Sequence, residues 1–127
     1  MRVYVDSDVL IWHLRGDKRA ASLLRCLAHT EGMELWTGAM QRAEVVFFMR
    51  PEEEAATLSL LSRFKTQPVT QAIVDLAGAL HRRWHSSHGV DVNDALLAAS
   101  AATTGGKIVT RNIRHFPMPD VVVEKAW

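Results

Sequence analysis

Short hydrophobic runs alternate along the chain with stretches in which apolar residues recur at helical spacing. The runs are rich in β-branched and aromatic residues, which is typical of strands. Four segments have this composition: RVYVD from Arg2 to Asp6, MELWT from Met33 to Thr37, KIVTR from Lys107 to Arg111, and VVVE from Val121 to Glu124. Strands separated by helices predict a mostly parallel sheet covered on both faces, with right-handed crossovers.

Caps and helix breakers predict where the intervening helices begin and end. Asp17 is a typical N-cap, Pro51 both closes one helix and opens the next, and a glycine pair follows the last helix. Six helices are predicted: one from Ser7, one after Asp17, one from Ala39 to Met49, one from Pro51 through Glu52, Glu53 and Glu54, one from about Thr70 to Ser86, and one from Asp91 to about Thr103 before Gly105 and Gly106.

Composition and length indicate an ordinary globular protein. The chain has 127 residues, of which 48% are hydrophobic and 23% charged, so we expect a single domain over residues 1–127 and exclude disorder. The stretch VLIWHL is too short to span a membrane and follows acidic residues, which predicts a cytoplasmic protein without a signal peptide. The lone Cys26 cannot form an intramolecular disulfide and is expected to pack in the interior.

The net charge of the chain is close to zero, which limits what a nucleic-acid-binding surface could be. Lys and Arg number 15 and Asp and Glu 14, for a formal charge of +1, so any nucleic-acid surface must be a local basic patch.

Polar residues collect where the strands end and the following helices start. Ligands of parallel sheets bind beyond the carboxyl ends of the strands. The candidates are Asp6, Asp8, Thr37, Glu44, Asp94, Thr110 and Asn112. Carboxylates in one crevice repel each other and raise their own pKa values, and Mg²⁺ or Mn²⁺ relieves that repulsion through oxygen ligands.

Each of these residues also has a purely structural interpretation. Asp6 or Asp8 could cap the first helix, and Asp94 with Asp91 imitates a capping box. Glu44 could pair with Arg42 or Arg50, and Asn112 could be a turn residue.

Three histidines, His81, His85 and His88, lie on or just past one predicted helix. The spacing of the first two could suit Zn²⁺. No Cys or nearby carboxylate joins them, so a solvated face is the better interpretation, with contact to RNA phosphate as a functional one.

Three segments together resemble one family. VDSDVLIWHLRGD, then AEVVFF, then NDALLAASAATTGGKIVTRNIRHF are similar to the PIN-domain nucleases, and in particular to the VapC-type toxins of bacterial toxin–antitoxin modules. The resemblance spans nearly the whole chain and implies a three-layer α/β/α sandwich. One departure is Asp8, which follows Ser7 where most members carry Asn or Ser; it is either a weak or outer-sphere ligand or only a cap.

The resemblance also implies an activity, a magnesium-dependent endoribonuclease leaving 5′-phosphate and 3′-hydroxyl ends, with Mn²⁺ as the other possible ion. Asp6, Glu44 and Asp94 match the acidic residues, of which Asp6 and Asp94 would bind metal and Glu44 would place a second metal or accept a proton. Asn112 matches the fourth position and Thr110 the threonine that orients the site. Asp8 and Asp91 are possible additional members, and Arg111, Arg114 and His115 would contact RNA.

Two other functions stay open at this level. The string VYVDSDVLI also resembles the first motif of haloacid-dehalogenase-type phosphatases, in which Asp6 would attack phosphorus and Asp8 would be the acid/base. That chemistry needs a lysine, for which Lys107 is the candidate, and a later acidic pair that KIVTRNIRHF lacks. The other possibility is a non-catalytic PIN module that binds without cutting.

Consecutive apolar residues from Val45 to Met49 must surround more than half of a helix. With Leu58, Leu60, Leu61 and Phe64 they predict a groove or a self-association face, unless helix packing buries them all. The family resemblance implies a homodimer and an antitoxin whose C-terminal segment lies across this groove, with an Arg or Lys at the metal position.

Overall fold

The computed structural model describes residues 1–127, which form five strands and six helices. Two single 3₁₀ turns, at Pro51–Glu53 and Ile113–His115, complete the regular structure. The strands are β1 (Arg2–Val5), β2 (Glu34–Gly38), β3 (Lys65–Gln67), β4 (Lys107–Thr110) and β5 (Val122–Lys125). The helices are α1 (Ser7–Leu14), α2 (Lys18–His29), α3 (Ala39–Val46), α4 (Glu54–Leu61), α5 (Gln71–His88) and α6 (Val92–Thr104).

All five strands are parallel and lie in the order β3-β2-β1-β4-β5. β1 is central, and Val5 pairs in register with Val109 of β4. The residues that follow these two partners, Asp6 and Thr110, therefore emerge side by side at the carboxyl edge of the sheet. This register brings together two candidates that are 104 positions apart in the sequence.

The alternation of side chains along β1 divides the core into two layers. Val3 and Val5 point into one apolar cluster, which includes Val9, Leu24 and Leu61 of α1, α2 and α4. Tyr4 points into the other cluster, which is built mainly from α5 and α6. Both faces of the sheet are covered, which confirms the predicted three-layer α/β/α sandwich with a parallel sheet.

Several predicted boundaries were wrong. Strand β3 was missed, because its sequence KTQ carries no apolar pattern and it lies at the sheet edge. Helix α3 ends at Val46 rather than Met49, and β5 begins at Val122 rather than Val121.

The expectation of a buried Cys26 was also wrong, because the thiol is exposed on α2. Ala20, Leu24 and Leu27 define the buried face of that helix. Cys26 follows Leu24 by two residues, about 200° around the helix, and therefore points to solvent. None of the six helices has the length and hydropathy that crossing a bilayer requires.

Candidate active site

Asp6 is the centre of the carboxyl edge of the sheet. Its side chain is buried and caps α1, because Oδ1 accepts the N–H of Ser7 at 2.8 Å. Oδ2 accepts the hydroxyl of Thr110 at 2.9 Å. The Thr110 oxygen in turn accepts the N–H of Asn112 at 3.0 Å, so the turn after β4 orients the threonine that orients Asp6.

Asp94 serves both the helix and the site. It forms a capping box with Asp91, since Asp91 Oδ1 accepts the N–H of Asp94 at 2.7 Å and Asp94 Oδ2 accepts the N–H of Asp91 at 3.2 Å. The capping interpretation is therefore confirmed for this pair. The same Oδ2 lies 3.1 Å from Nδ1 of His115, and that nitrogen is 3.0 Å from Nδ2 of Asn112.

Glu44 reaches the site from α3. Its side chain is half-buried, and burial raises its pKa, followed by the negative charge of Asp91. The polar side chains of Ser7 and Asn93 beside it lower that pKa. Sequence reasoning did not single out Asn93, although its place between Asp91 and Asp94 put it at the same helix start.

Mutual repulsion and burial perturb the central carboxylates. Burial, then the charge of Asp8, raises the pKa of Asp6 to about 7, with Glu44 adding to it. Burial also raises the pKa of Asp94 to about 7, with the charges of Asp91 and Asp6 contributing. Charge–charge interactions therefore connect the acids of this cluster, as the clustering argument predicted: Asp6, Asp8, Glu44, Asp91 and Asp94.

The donors of this cluster fit a hard divalent cation. They are carboxylate oxygens, the ligands that Mg²⁺ and Mn²⁺ prefer, and their excess negative charge is what such an ion would neutralise. No three Asp, Glu, His or Cys side chains are arranged around one point as ligands of a single ion would be. The fit therefore lies in the donor chemistry, since Mg²⁺ usually keeps several waters and takes only one or two carboxylates from the protein.

This electrostatics makes a prediction about pH. A carboxyl group whose pKa is raised on folding makes the folded state bind more protons than the unfolded state between the two values. The ion-free protein should therefore gain stability as the pH falls from about 8 to about 5, before general acid unfolding begins. Thermal melts in chelator at these pH values measure it, and a melting temperature that falls steadily over that range would contradict it.

Asp8 does not cap α1, so the cap interpretation was wrong for this residue; the N-cap is Asp6. Asp8 lies in the first turn, where Oδ1 accepts the N–H of Val9 at 2.7 Å. Oδ2 accepts the N–H of Arg111 at 3.1 Å, which joins the start of α1 to the segment after β4.

The three residues expected to contact RNA lie in different settings. The guanidinium of Arg111 lies over the indole rings of both Trp12 and Trp127. Arg114 is exposed, and Nη2 donates to the Ser87 carbonyl at 3.4 Å. His115 contacts Asp94 inside the acidic cluster.

The three histidines of α5 make packing and hydrogen-bond contacts within the protein. The rings of His81 and His85 stack at 4.5 Å between centroids, and Nδ1 of His85 lies 2.9 Å from the Val90 carbonyl oxygen. His88 packs its ring edge-on against Trp84. These contacts account for the three side chains without zinc.

Lys107 is misplaced for the phosphatase interpretation. It lies at the first residue of β4 and forms an ion pair with Glu124 at 2.6 Å. The strand separates it from Thr110 and the acidic edge, so it cannot serve Asp6.

The apolar surface is smaller than predicted. Leu60, Leu61, Phe64 and Val45 are buried, because they share one apolar cluster with Val3 and Val5 of the sheet and Val9 and Leu10 of α1. Phe47 and Phe48 remain exposed, by 79% and 81%.

A groove of about 350 Å³ lies beside Phe48. Its lining residues come from α1, α3 and α4 and the turn between the last two: Ile11, Leu14, Arg15, Glu44, Val45, Phe48, Met49, Arg50, Glu53 and Thr57. Because Glu44 is among them, the groove leads into the acidic cluster.

Similar proteins share both the sequence and the fold. Residues 3–120 match the PIN domain family. Ribonuclease VapC19 of Mycobacterium tuberculosis is 38% identical over 119 residues, which cover 92% of this chain and 94% of the relative. Ribonuclease VapC10 of the same organism is 38% identical over 117 residues, covering 91% and 86%.

Solved structures agree at the level of the fold. VapBC-1 from nontypeable Haemophilus influenzae superposes with a TM-score of 0.80 at 16% identity, covering 99% of this chain and 98% of that one. DNA-bound VapBC from Salmonella typhimurium superposes with a TM-score of 0.78 at 19% identity, covering 100% and 99%. With the family match and the two ribonucleases, this establishes that the chain belongs to the PIN-domain family, among its VapC-type ribonucleases.

Proposed function

We propose that the protein is a divalent-metal-dependent endoribonuclease that acts as the toxin of a toxin–antitoxin pair, with residues 1–127 as one PIN domain in the cytoplasm. The observation that carries this proposal is the placement of Asp6 and Asp94. Two helix-capping carboxylates, from opposite parts of the chain, meet at the carboxyl edge of a parallel sheet, and both have pKa values raised to about 7. Repulsion between these carboxylates favours the binding of a positively charged ligand.

The position of each residue in the acidic cluster indicates its role. Asp6 and Asp94 would hold Mg²⁺ or Mn²⁺, with Asp8 and Asp91 adding negative charge. A divalent cation supplies charge stabilisation to a phosphodiester and makes a nearby water more acidic. Glu44 accepts the proton of the attacking water, and Thr110 holds Asp6 in orientation through its hydroxyl. Water adds to phosphorus, the bond to the 3′ oxygen breaks, and that oxygen takes a proton from solvent, to which Glu44 returns the proton it accepted.

The direct test uses purified protein, labelled single-stranded RNA, and Mg²⁺, Mn²⁺ or chelator. Cleavage with either ion and none in chelator would support the proposal. Full cleavage in chelator would overturn the metal dependence. Tight RNA binding without cleavage under any condition would instead support the non-catalytic PIN module.

The antitoxin is the second part of the proposal. VapBC structures are toxin–antitoxin complexes, and in this chain the groove beside Phe48 joins an apolar wall to the acidic cluster. An antitoxin segment with an apolar helix and a following Arg or Lys would fill both parts. Its basic head would neutralise the carboxylates and exclude the metal.

A homodimer is the third part, and it also makes a prediction. On the side away from the groove, Val74, Leu76 and Val92 are exposed by 49%, 37% and 61% on α5 and α6. A second copy would cover this surface. Light scattering should give twice the chain mass for the wild type and a lower mass for Val92→Arg, and a wild-type monomer at high concentration would refute the dimer.

A further inference from the structure

Two tryptophans and three arginines form a continuous stack beside the acidic cluster. The guanidinium of Arg111 lies 5.0 Å from the ring centroid of Trp12 and 5.0 Å from that of Trp127. Arg15 approaches the ring of Trp12 at 5.8 Å, and Arg19 that of Trp127 at 5.4 Å. The stack joins α1, α2, the segment after β4 and the last residue of the chain, so it is assembled only by folding.

Arg111 is the central member of this stack and is held without hydrogen bonds from its guanidinium. Nε is buried and has no partner, and no side-chain nitrogen of Arg111 donates to another residue. Cation–π attraction to two indoles stabilises a guanidinium that lacks acceptors. Because the guanidinium contacts two indoles and Nε is buried, the Nη atoms, which donate to no other residue, are the donors left for a ligand.

The main chain of the same residue fixes Asp8. The N–H of Arg111 donates to Asp8 Oδ2 at 3.1 Å, so the cation and the extra carboxylate belong to one unit. Burial raises the pKa of Asp8, and the N–H and the positive charge of Arg111 oppose that rise, whereas the charge of Asp8 raises the pKa of Asp6. Among the largest influences on the pKa values of Asp6, Asp8, Glu44 and Asp94, Arg111 is the only basic side chain.

We propose that Arg111 is a resident cation of the site: Trp12 and Trp127 fix it, it offsets the charge of Asp8, and its free Nη edge binds a phosphate of the RNA. Trp12 and Trp127 are positioning residues, because they act through Arg111. The phosphate contact rests on the proposed ribonuclease function, whereas the charge balance with Asp8 does not. The pairing of Arg111 with Asp8 also accounts for this additional acid, because a fixed cation offsets its charge.

The charge balance predicts effects of opposite sign on two ligands. In Arg111→Gln, loss of a nearby positive charge should tighten Mn²⁺ binding by about threefold to tenfold. The same variant should weaken RNA binding and lower the slope of log affinity against log salt by about 0.7, as for one lost phosphate contact. A merely structural role would weaken both ligands together.

Calorimetry with MnCl₂ on RNA-free protein measures the first effect for Arg111→Gln, Asp8→Asn and the double variant. Asp8→Asn should weaken Mn²⁺ binding by a similar factor, and the double variant should return near wild type. The matched control is Arg2→Gln at the far end of β1, which removes the same charge and a similar contact, 3.8 Å from the ring of Trp36. It should leave Mn²⁺ affinity unchanged.

The positioning role is tested on Trp127 with a pool of labelled 20-nucleotide RNAs of random sequence, in chelator and in an Asp94→Asn background, both of which are expected to prevent cleavage. Trp127→Leu should weaken RNA binding about as much as Arg111→Gln, and Trp127→Phe should restore most of it, because a phenyl ring keeps an aromatic face. Equal loss in the Leu and Phe variants would overturn the positioning role.

Weaker or unchanged Mn²⁺ binding in Arg111→Gln would overturn the charge balance. Unchanged RNA affinity and salt slope in that variant would overturn the phosphate contact. These failures differ from failure of the proposed function, which would appear as wild-type protein that cleaves no RNA while its Mn²⁺ affinities still follow the predicted signs.

Discussion

Asp6→Asn should abolish RNA cleavage and at the same time stabilise the ion-free protein. Cleavage should fall by about a thousandfold or more, since a lost metal ligand removes several kcal/mol of transition-state stabilisation. The amide oxygen can keep the N–H of Ser7, and the amide NH₂ can donate to the Thr110 oxygen once that hydroxyl turns, so the contact that orients the site is kept with its direction reversed. Because burial and the charge of Asp8 disfavour the ionised group, the uncharged residue should raise the unfolding free energy by about 1–3 kcal/mol at pH 8.

The measurements are RNA cleavage with Mg²⁺ and thermal melts in chelator at pH 8 and pH 5. The stability gain should shrink at pH 5, where the wild-type Asp6 is already protonated. The matched control is Asp75→Asn, which removes one exposed carboxylate on α5 and should change neither quantity. An active Asp6→Asn protein would remove Asp6 from the site, and an active Asp94→Asn protein would remove Asp94.

Phe48→Asp should weaken antitoxin binding by at least about thirtyfold, as expected when an aromatic anchor of an interface is lost. The side chain is 81% exposed and lines the groove, so the variant should fold with nearly the wild-type melting temperature. A new carboxylate would also extend the acidic surface, but it could not replace the buried apolar contact.

Phe47→Asp is the matched control, because Phe47 is 79% exposed on the same turn and does not line the groove. Binding of the protein encoded by the adjacent reading frame can be followed by calorimetry. Equal weakening by both substitutions would show that general apolar surface, rather than the groove, holds the partner. An unfolded Phe48→Asp protein would show that Phe48 belongs to the core.

Local patterns were enough to predict the parts of the site that a single strand or helix end positions. The β-branched and apolar runs in RVYVD and KIVTR predicted strands, and the helices between the strands predicted a parallel sheet. The rule for parallel sheets then placed Asp6, Thr110 and Asn112 at one edge. The spacing of Asp91 and Asp94 predicted their capping box. These features depend on neighbours along the chain, and short-range geometry is the same in most folds.

Only packing decided which residues face solvent and which face the core. Cys26 and Phe48 have apolar neighbours in the sequence, as buried residues do, yet both face solvent. Packing sets which face of α2 is buried, and α3 ends before it reaches Phe48. Strand β3 exists because β2 offers it an edge, although KTQ alone has no strand pattern.

The electrostatics of the site also belongs to the tertiary structure. The sequence by itself determined that several acids would collect at the strand ends, since each lies at a predicted helix start. Only folding decided that Asp8 would meet the N–H of Arg111 and that Trp12 and Trp127, 115 positions apart, would enclose that arginine. The physical reason is that burial and charge–charge interaction depend on distances through space, and those distances are set by the register of β1 with β4 and by the packing of the chain end against α1 and α2.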